Sequence, residues 1–140
     1  MGTVYATRKF TFSAAHRYWR DEWTADENAR VFGQLTVVHG HNYVLEVTLA
    51  GPISPATGMV ANLDDLDAFV AREVLEPFDH RCLNAEIPEF AARVPTAENL
   101  CREIHRRLRA FPGARLARVR LEETSLNSFE YCGETEEHHP

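Results

Sequence analysis

The sharpest chemical signal in this sequence is His39-Gly40-His41. On a strand, residues i and i+2 point to the same face, about 6.6 Å apart along the chain. Two imidazoles so placed can lean onto one cation at about 2.0–2.1 Å each, and Gly40 adds no side chain to the opposite face. The competing reading is a pair of histidines that end a strand and bond to backbone. His16 is a plausible third member. It shares parity with Phe10, Phe12 and Ala14, so it emerges at a strand end on the core-facing side. Three histidines with an open fourth position make a catalytic zinc site, where a bound water or substrate oxygen is polarised.

Candidates for proton chemistry lie elsewhere in the chain. Asp79-His80 falls in a connection, where an Asp that orients a His forms an acid/base relay. The same dipeptide also suits a loop-capping Asp beside a surface His. Glu123 ends a strand face that otherwise reads Ala117, Val119, Leu121. A carboxylate there costs free energy unless it meets a partner or ligand, or unless the strand has already reached solvent. Thr96 and Glu98 fit a helix cap and a first-turn acid. His105, on a basic helix, is expected at the surface, and His138 and His139 in an exposed polar tail.

Positioning these groups takes an ordered set of elements. Alternation predicts a strand over Val4 to His16 and another from His39 to Ala50, stopped by Gly51-Pro52. The stretch between them, 17 to 36, reads as an irregular charged loop anchored by Trp19, Trp23 and Phe32. Asn62 caps a helix with the stripe Leu63, Leu66, Val70 and Val74, which Pro77 ends. A connection over 78 to 94 follows. Pro95-Thr96 then opens a second helix with the stripe Leu100, Ile104 and Leu108. Strands over Leu116 to Thr124 and Asn127 to Cys132, joined by a tight turn, complete a β-β-α-α-β-β order. This predicts an α+β fold: an antiparallel sheet with two helices on one face. It forms one domain over 1–133, and 134–140 read as a flexible tail.

Composition sets the bounds. The 140 residues are 44% apolar and 26% charged, ordinary for a globular domain. No apolar run exceeds four residues (Ala68 to Ala71), so neither a membrane span nor the apolar core of a secretory signal is expected, and a cytoplasmic location is the default. The formal charge of −6 disfavours nucleic acid without a local basic patch. The one dense basic stretch, Arg102 to Arg109, reads as a solvated helix face. Cys82, Cys101 and Cys132 are too few and too irregularly spaced for a disulfide framework or a cysteine zinc site.

In order along the chain, FSAAHR (12–17), FG (32–33), HGHNY (39–43), TGMVANLDDL (57–66), FDHRCLN (78–84), PTAEN (95–99) and EETSLNSFEYCGE (122–134) resemble the 6-pyruvoyl-tetrahydropterin synthase / 6-carboxytetrahydropterin synthase family. The resemblance spans nearly the whole chain. It implies the tunnelling fold (T-fold), in which three subunits join their sheets into a barrel and two trimers stack into a homohexamer. It implies that His16, His39 and His41 hold Zn2+, that Glu123 clasps the pterin's guanidine-like edge, and that Thr96 and Glu98 lie near the pterin pocket. Asp79 and His80 become a relay offered across a subunit interface. The implied function is a zinc-dependent lyase acting on 7,8-dihydroneopterin triphosphate. The carboxy product, used in making 7-deazaguanine nucleosides such as queuosine, is favoured.

One departure stands out. Family members usually carry a catalytic Cys four residues before the first His of HGH, and here that position is Leu35. A Glu three residues before HGH, associated with cleavage of the dihydroneopterin side chain, is also absent, because Thr36 stands there. The expectation is therefore an altered or reduced synthase. The alternatives are an aldolase-like enzyme that cleaves dihydroneopterin and a non-catalytic paralogue that binds pterin and zinc. Cys82, two residues past His80, reads as a small packing residue.

Overall fold

A computed structural model describes residues 2–134, so His138 and His139 lie outside the described residues, as does nearly all of the expected tail. Strand β1 (Val4–His16) pairs antiparallel with β2 (His39–Gly51) without a slip, from Val4 opposite Gly51 to His16 opposite His39. A two-residue strand, β3 (Arg81–Cys82), runs parallel to β1 at Ala14 and Ala15. Strands β4 (Arg115–Thr124) and β5 (Asn127–Tyr131) complete the sheet in the order β3-β1-β2-β4-β5. The expected four-stranded antiparallel sheet is thus present, with β3 as an added parallel edge too short to show in the sequence pattern.

The strand faces are chemically distinct. Tyr43, Leu45, Val47 and Leu49 of β2, with Val119 and Leu121 of β4, are buried toward the helices. The other face is a polar ladder: Thr7 bonds Thr48 at 2.7 Å, Ser13 bonds Asn42 at 2.6 Å, and Arg120 reaches Glu46 at 2.6 Å.

The irregular loop expected over 17–36 contains a helix, α1 (Ala25–Phe32), followed by a 3-10 turn, Gly33–Thr36. Thr24 and Glu27 form a reciprocal capping box, and Gly33 takes a positive φ of 58° as the chain leaves the helix. The buried residue of α1 is Asn28. Its side chain accepts from the Arg20 amide and donates to the carbonyls of Arg20 and Thr24.

The next helical run starts as α2 (Leu63–Val70), capped by Asn62, and ends at Phe78, one residue past the expected stop at Pro77. It continues through a π-turn, Ala71–Leu75, into the short α3 (Glu76–Phe78). Proline removes one helical N–H and crowds the preceding turn, and the wider π-turn lies just upstream of it. The carbonyl four residues back, Glu73, instead accepts from Arg107 Nη1 at 3.3 Å. A short α4 (Leu83–Glu86) then leads to α5 (Ala97–Leu108), whose N-cap is Thr96. The basic face of α5 is only partly solvated. Glu103 is buried and holds both Arg106 and Arg107, and His105 is only 8% exposed against Tyr131 rather than at the surface. Among the described residues no helix is long and apolar enough to cross a membrane.

Candidate metal and pterin site

The pairing of β1 with β2 assembles the histidines. His16 and His39 are direct cross-strand partners, and His41, two residues on, points to the same face opposite the small Ala14. One donor atom from each of the three imidazoles lies within 4.8 Å of the others. Their tautomers follow from their neighbours. His16 Nδ1 is 2.8 Å from the Pro95 carbonyl and His39 Nδ1 is 2.7 Å from the Val37 carbonyl. A carbonyl only accepts, so both Nδ1 atoms carry the proton and both Nε2 atoms present a lone pair. Those Nε2 atoms are buried and have no protein partner. Burial also lowers the His16 pKa to about 4 despite the Pro95 carbonyl, with His39 and His41 lowering it further. His41 is lowered as well, chiefly by burial, although Glu123 opposes this. Neutral imidazoles are what a metal requires. The His39 bond to backbone does not compete with metal binding, because it leaves Nε2 with its lone pair.

Glu123 joins this cluster from β4, one step beyond the Val44–Glu122 pair. Its Oε2 lies 3.9 Å from His16 Nε2 and 3.8 Å from His41 Nε2, and it is buried without a hydrogen-bond donor. Oε1 accepts from Asn127 at 3.3 Å. Two tyrosines complete the surroundings. The Tyr18 ring meets His16 edge-on at 5.3 Å, and burial, with Glu123 and Glu98 nearby, pushes its hydroxyl up to about 12. Tyr43 stacks on Phe12, and its hydroxyl is buried without a partner and raised by the same causes, burial first and then Glu123. Both phenols stay protonated and can donate. Sequence reasoning passed over them because nothing local distinguishes a site tyrosine from a core tyrosine.

The other expected site residues surround this cluster without joining it. Thr96 caps α5, accepting from the Asn99 amide at 3.0 Å, and Glu98 is exposed in its first turn. Asp79 and His80 flank the sheet edge. Asp79 Oδ1 accepts from the Ser13 amide at 2.8 Å and faces His80 Nδ1 at 3.0 Å. His80 has a φ of 62° and donates its own amide to the Ser13 carbonyl, yet its ring is 82% exposed. Ser13, His41, His80 and Cys82 line one open cleft of about 540 Å³ on this side of the sheet. Leu35 sits exposed in the 3-10 turn, its carbonyl accepting from the Tyr18 amide at 2.8 Å.

The 6-pyruvoyl tetrahydropterin synthase family model matches residues 5–134. The chain belongs to the 6-pyruvoyl tetrahydropterin synthase family. It is 39% identical to human 6-pyruvoyl tetrahydrobiopterin synthase over 131 residues, 91% of this chain and 90% of that protein. It is 41% identical over 86 residues to a putative 6-carboxy-5,6,7,8-tetrahydropterin synthase of Archaeoglobus fulgidus, covering 61% and 68% of the two chains. The solved Caenorhabditis elegans 6-pyruvoyl tetrahydropterin synthase superposes with a TM-score of 0.91 at 36% identity, covering 96% of this chain and 98% of that one. The fold is accordingly that of the pterin synthases, and the chain is a lyase-family member of pterin biosynthesis. Within that family frame, His16, His39 and His41 are the group that could hold a metal ion.

Proposed function

We propose that this protein is a zinc-dependent carbon–oxygen lyase that acts on 7,8-dihydroneopterin triphosphate. The observation that carries the reading is the cluster of buried, partnerless acceptors, the His16 and His39 Nε2 atoms and Glu123 Oε2, at one end of the sheet. Buried polar atoms are normally paired, so a group of them facing one another implies a ligand. Three imidazole donors with no cysteine or carboxylate among them suit zinc with an open position. When bound, zinc supplies Lewis-acid polarisation of side-chain oxygens on the substrate.

The chain's own groups divide the remaining work. Glu123 is a buried acceptor suited to adjacent N–H donors of a pterin ring. The Tyr18 and Tyr43 rings wall the space beside it. Asp79 holds the Nδ1–H of His80, which leaves His80 Nε2 as the nitrogen able to take or give a proton.

The exposure of His80 favours its use in a neighbour's site, and the reading therefore includes a homohexamer built as a dimer of trimers. The β1 edge, covered by β3 only at Ala14 and Ala15, supports that assembly, because an open edge is a template for pairing. Leu35 offers no base, so turnover is expected to be reduced or altered relative to cysteine-bearing relatives. Product analysis of the purified protein with 7,8-dihydroneopterin triphosphate tests the activity. Triphosphate release with formation of a carboxy or pyruvoyl pterin supports it, whereas inertness of the metal-loaded protein refutes it. Light scattering at micromolar concentration tests the assembly, and a monomeric mass rejects it.

A further inference from the structure

We propose that the C-terminal half of α5 and the end of β5 form a second ligand site that takes a small phosphate-bearing anion. On α5, Arg102, His105, Arg106 and Arg109 follow i, i+3, i+4, i+7 spacing and share one face. With Arg93 and Tyr131 they line a cleft of about 470 Å³. Four arginines there stand against two glutamates, in a protein whose formal charge is −6. Both glutamates are already engaged. Glu103 is held by Arg106 and Arg107, and Glu134 accepts from the Tyr131 hydroxyl at 3.0 Å.

The remaining guanidiniums are unspent. Arg93 and Arg109 form no ion pair among the described residues, and the Arg102 contact is the neutral Asn99 side-chain oxygen at 3.1 Å. Arg102 and Arg109 are both close enough to favour ionisation of the Tyr131 hydroxyl, although burial and Glu134 outweigh them. The wall behind them is fixed. His105 is 8% exposed, its ring meets Tyr131 edge-on at 5.1 Å, and its Nε2 is buried without a partner. Gly133, with a φ of 91°, lies so near that a Cβ there would come within 3.0 Å of the His105 ring.

Guanidinium forks match phosphate oxygens two at a time, and several unpaired forks on one wall suit a multiply charged phosphate better than a lone carboxylate. The site is separate from the histidine cluster. Pro95 bonds His16 at the start of α5, and Arg106 lies about 15 Å further along the helix at 1.5 Å per residue.

The test is titration of the full-length, metal-loaded protein with inorganic pyrophosphate, read by calorimetry and by the NMR signals of the His105 ring. One saturable site that moves the His105 signals is expected. The Arg102→Gln/Arg109→Gln variant should bind at least tenfold more weakly with an unchanged melting temperature. Arg93→Gln, on a loop, gives a second reading should the double variant not fold, and it too should weaken binding. The His39→Ala/His41→Ala variant, which lacks the metal-binding pair, should keep the site. The proposal is overturned if pyrophosphate does no more than sodium chloride of equal ionic strength, or if binding survives the arginine changes. Loss of binding only in the histidine variant would also overturn it, because the anion would then sit at the metal.

Discussion

The two ends of α5 handle buried charge in opposite ways. Near its C-terminal half, Glu103 is 2% exposed yet fully partnered: Arg106 donates to it at 3.0 and 2.6 Å, and Arg107 at 2.7 Å. Arg107 in turn reaches Glu89 and the Glu73 carbonyl that Pro77 leaves without a helical donor. Near the N-terminus of α5, the His16 and His39 Nε2 atoms, Glu123 Oε2 and the Tyr43 hydroxyl are buried with no partner at all. Removing a polar atom from water without a hydrogen bond costs about 1–3 kcal/mol. A set of such atoms facing one another is a cost that a bound ligand would relieve. Substitutions at the paired end should therefore cost stability and spare chemistry. At the unpaired end they should do the reverse.

The sharpest way to break this contrast is at the histidines. His39→Ala/His41→Ala should abolish stoichiometric metal in elemental analysis while leaving the melting temperature near that of the metal-free wild type. Retained stoichiometric zinc would remove the site from these residues. Next in size is Leu35→Cys. General-base catalysis contributes about 10²–10⁴-fold, so a thiol at this position should raise triphosphate release by a factor in that range, read by phosphate assay. Its carbonyl bond to Tyr18, whose ring touches His16, keeps this turn beside the cluster. If a carboxylate such as Asp26 or Glu27 already serves as base, Leu35→Cys changes little and alanine at that carboxylate abolishes turnover. Both residues lie in the first turn of α1.

At the paired end, Glu103→Ala should destabilise by about 1–3 kcal/mol, because it removes three charge-assisted hydrogen bonds around a buried position while Arg106 stays solvated and Arg107 keeps Glu89. Denaturant unfolding measures this directly, and pterin affinity should not move. Glu123→Gln is the mirror experiment. It should keep metal and stability while weakening pterin binding by about 1.5–3 kcal/mol, roughly 10- to 150-fold. A large loss of stability with unchanged affinity would make Glu123 a structural carboxylate like Glu103.

What was legible in the sequence follows the same division. Strand parity placed His16, His39 and His41 on one face, because β1 and β2 pair without a bulge and period-two alternation survives intact. It also placed Glu123 at the end of an apolar face, although β4 carries an irregularity opposite Thr48 and Leu49 further down. Groups defined by long-range packing were not legible. His105 sits among arginines in the chain but is covered by Tyr131 in space. Helix α1 buries a polar residue, Asn28, and so lacks an apolar stripe. The signal that could have found it was the Thr24 and Glu27 capping box. Pro77 marks the stop to within one residue, because the helical run ends at Phe78. The π-turn just upstream and the bond from Arg107 to the Glu73 carbonyl left no local signal, because Arg107 is distant in the chain.

The smallest expected effect concerns acid. Burial acts to raise the Glu103 pKa, but hydrogen bonds from Arg106 and Arg107 win and hold it below its ordinary value. A depressed native value means the unfolded chain takes up the proton first. The stabilisation from this group is thus fully present above the unfolded carboxylate pKa of about 4.3 and is lost as pH falls through the native value. Glu103→Gln keeps the shape but has no proton to bind, so it lacks that part of the slope. The stability gap between wild type and Glu103→Gln should be constant from pH 8 to about 5 and should narrow below that, in urea unfolding followed by circular dichroism. A gap that widened in acid would mean Glu103 is protonated in the native state, and the two ends of α5 would then differ less than their geometry indicates.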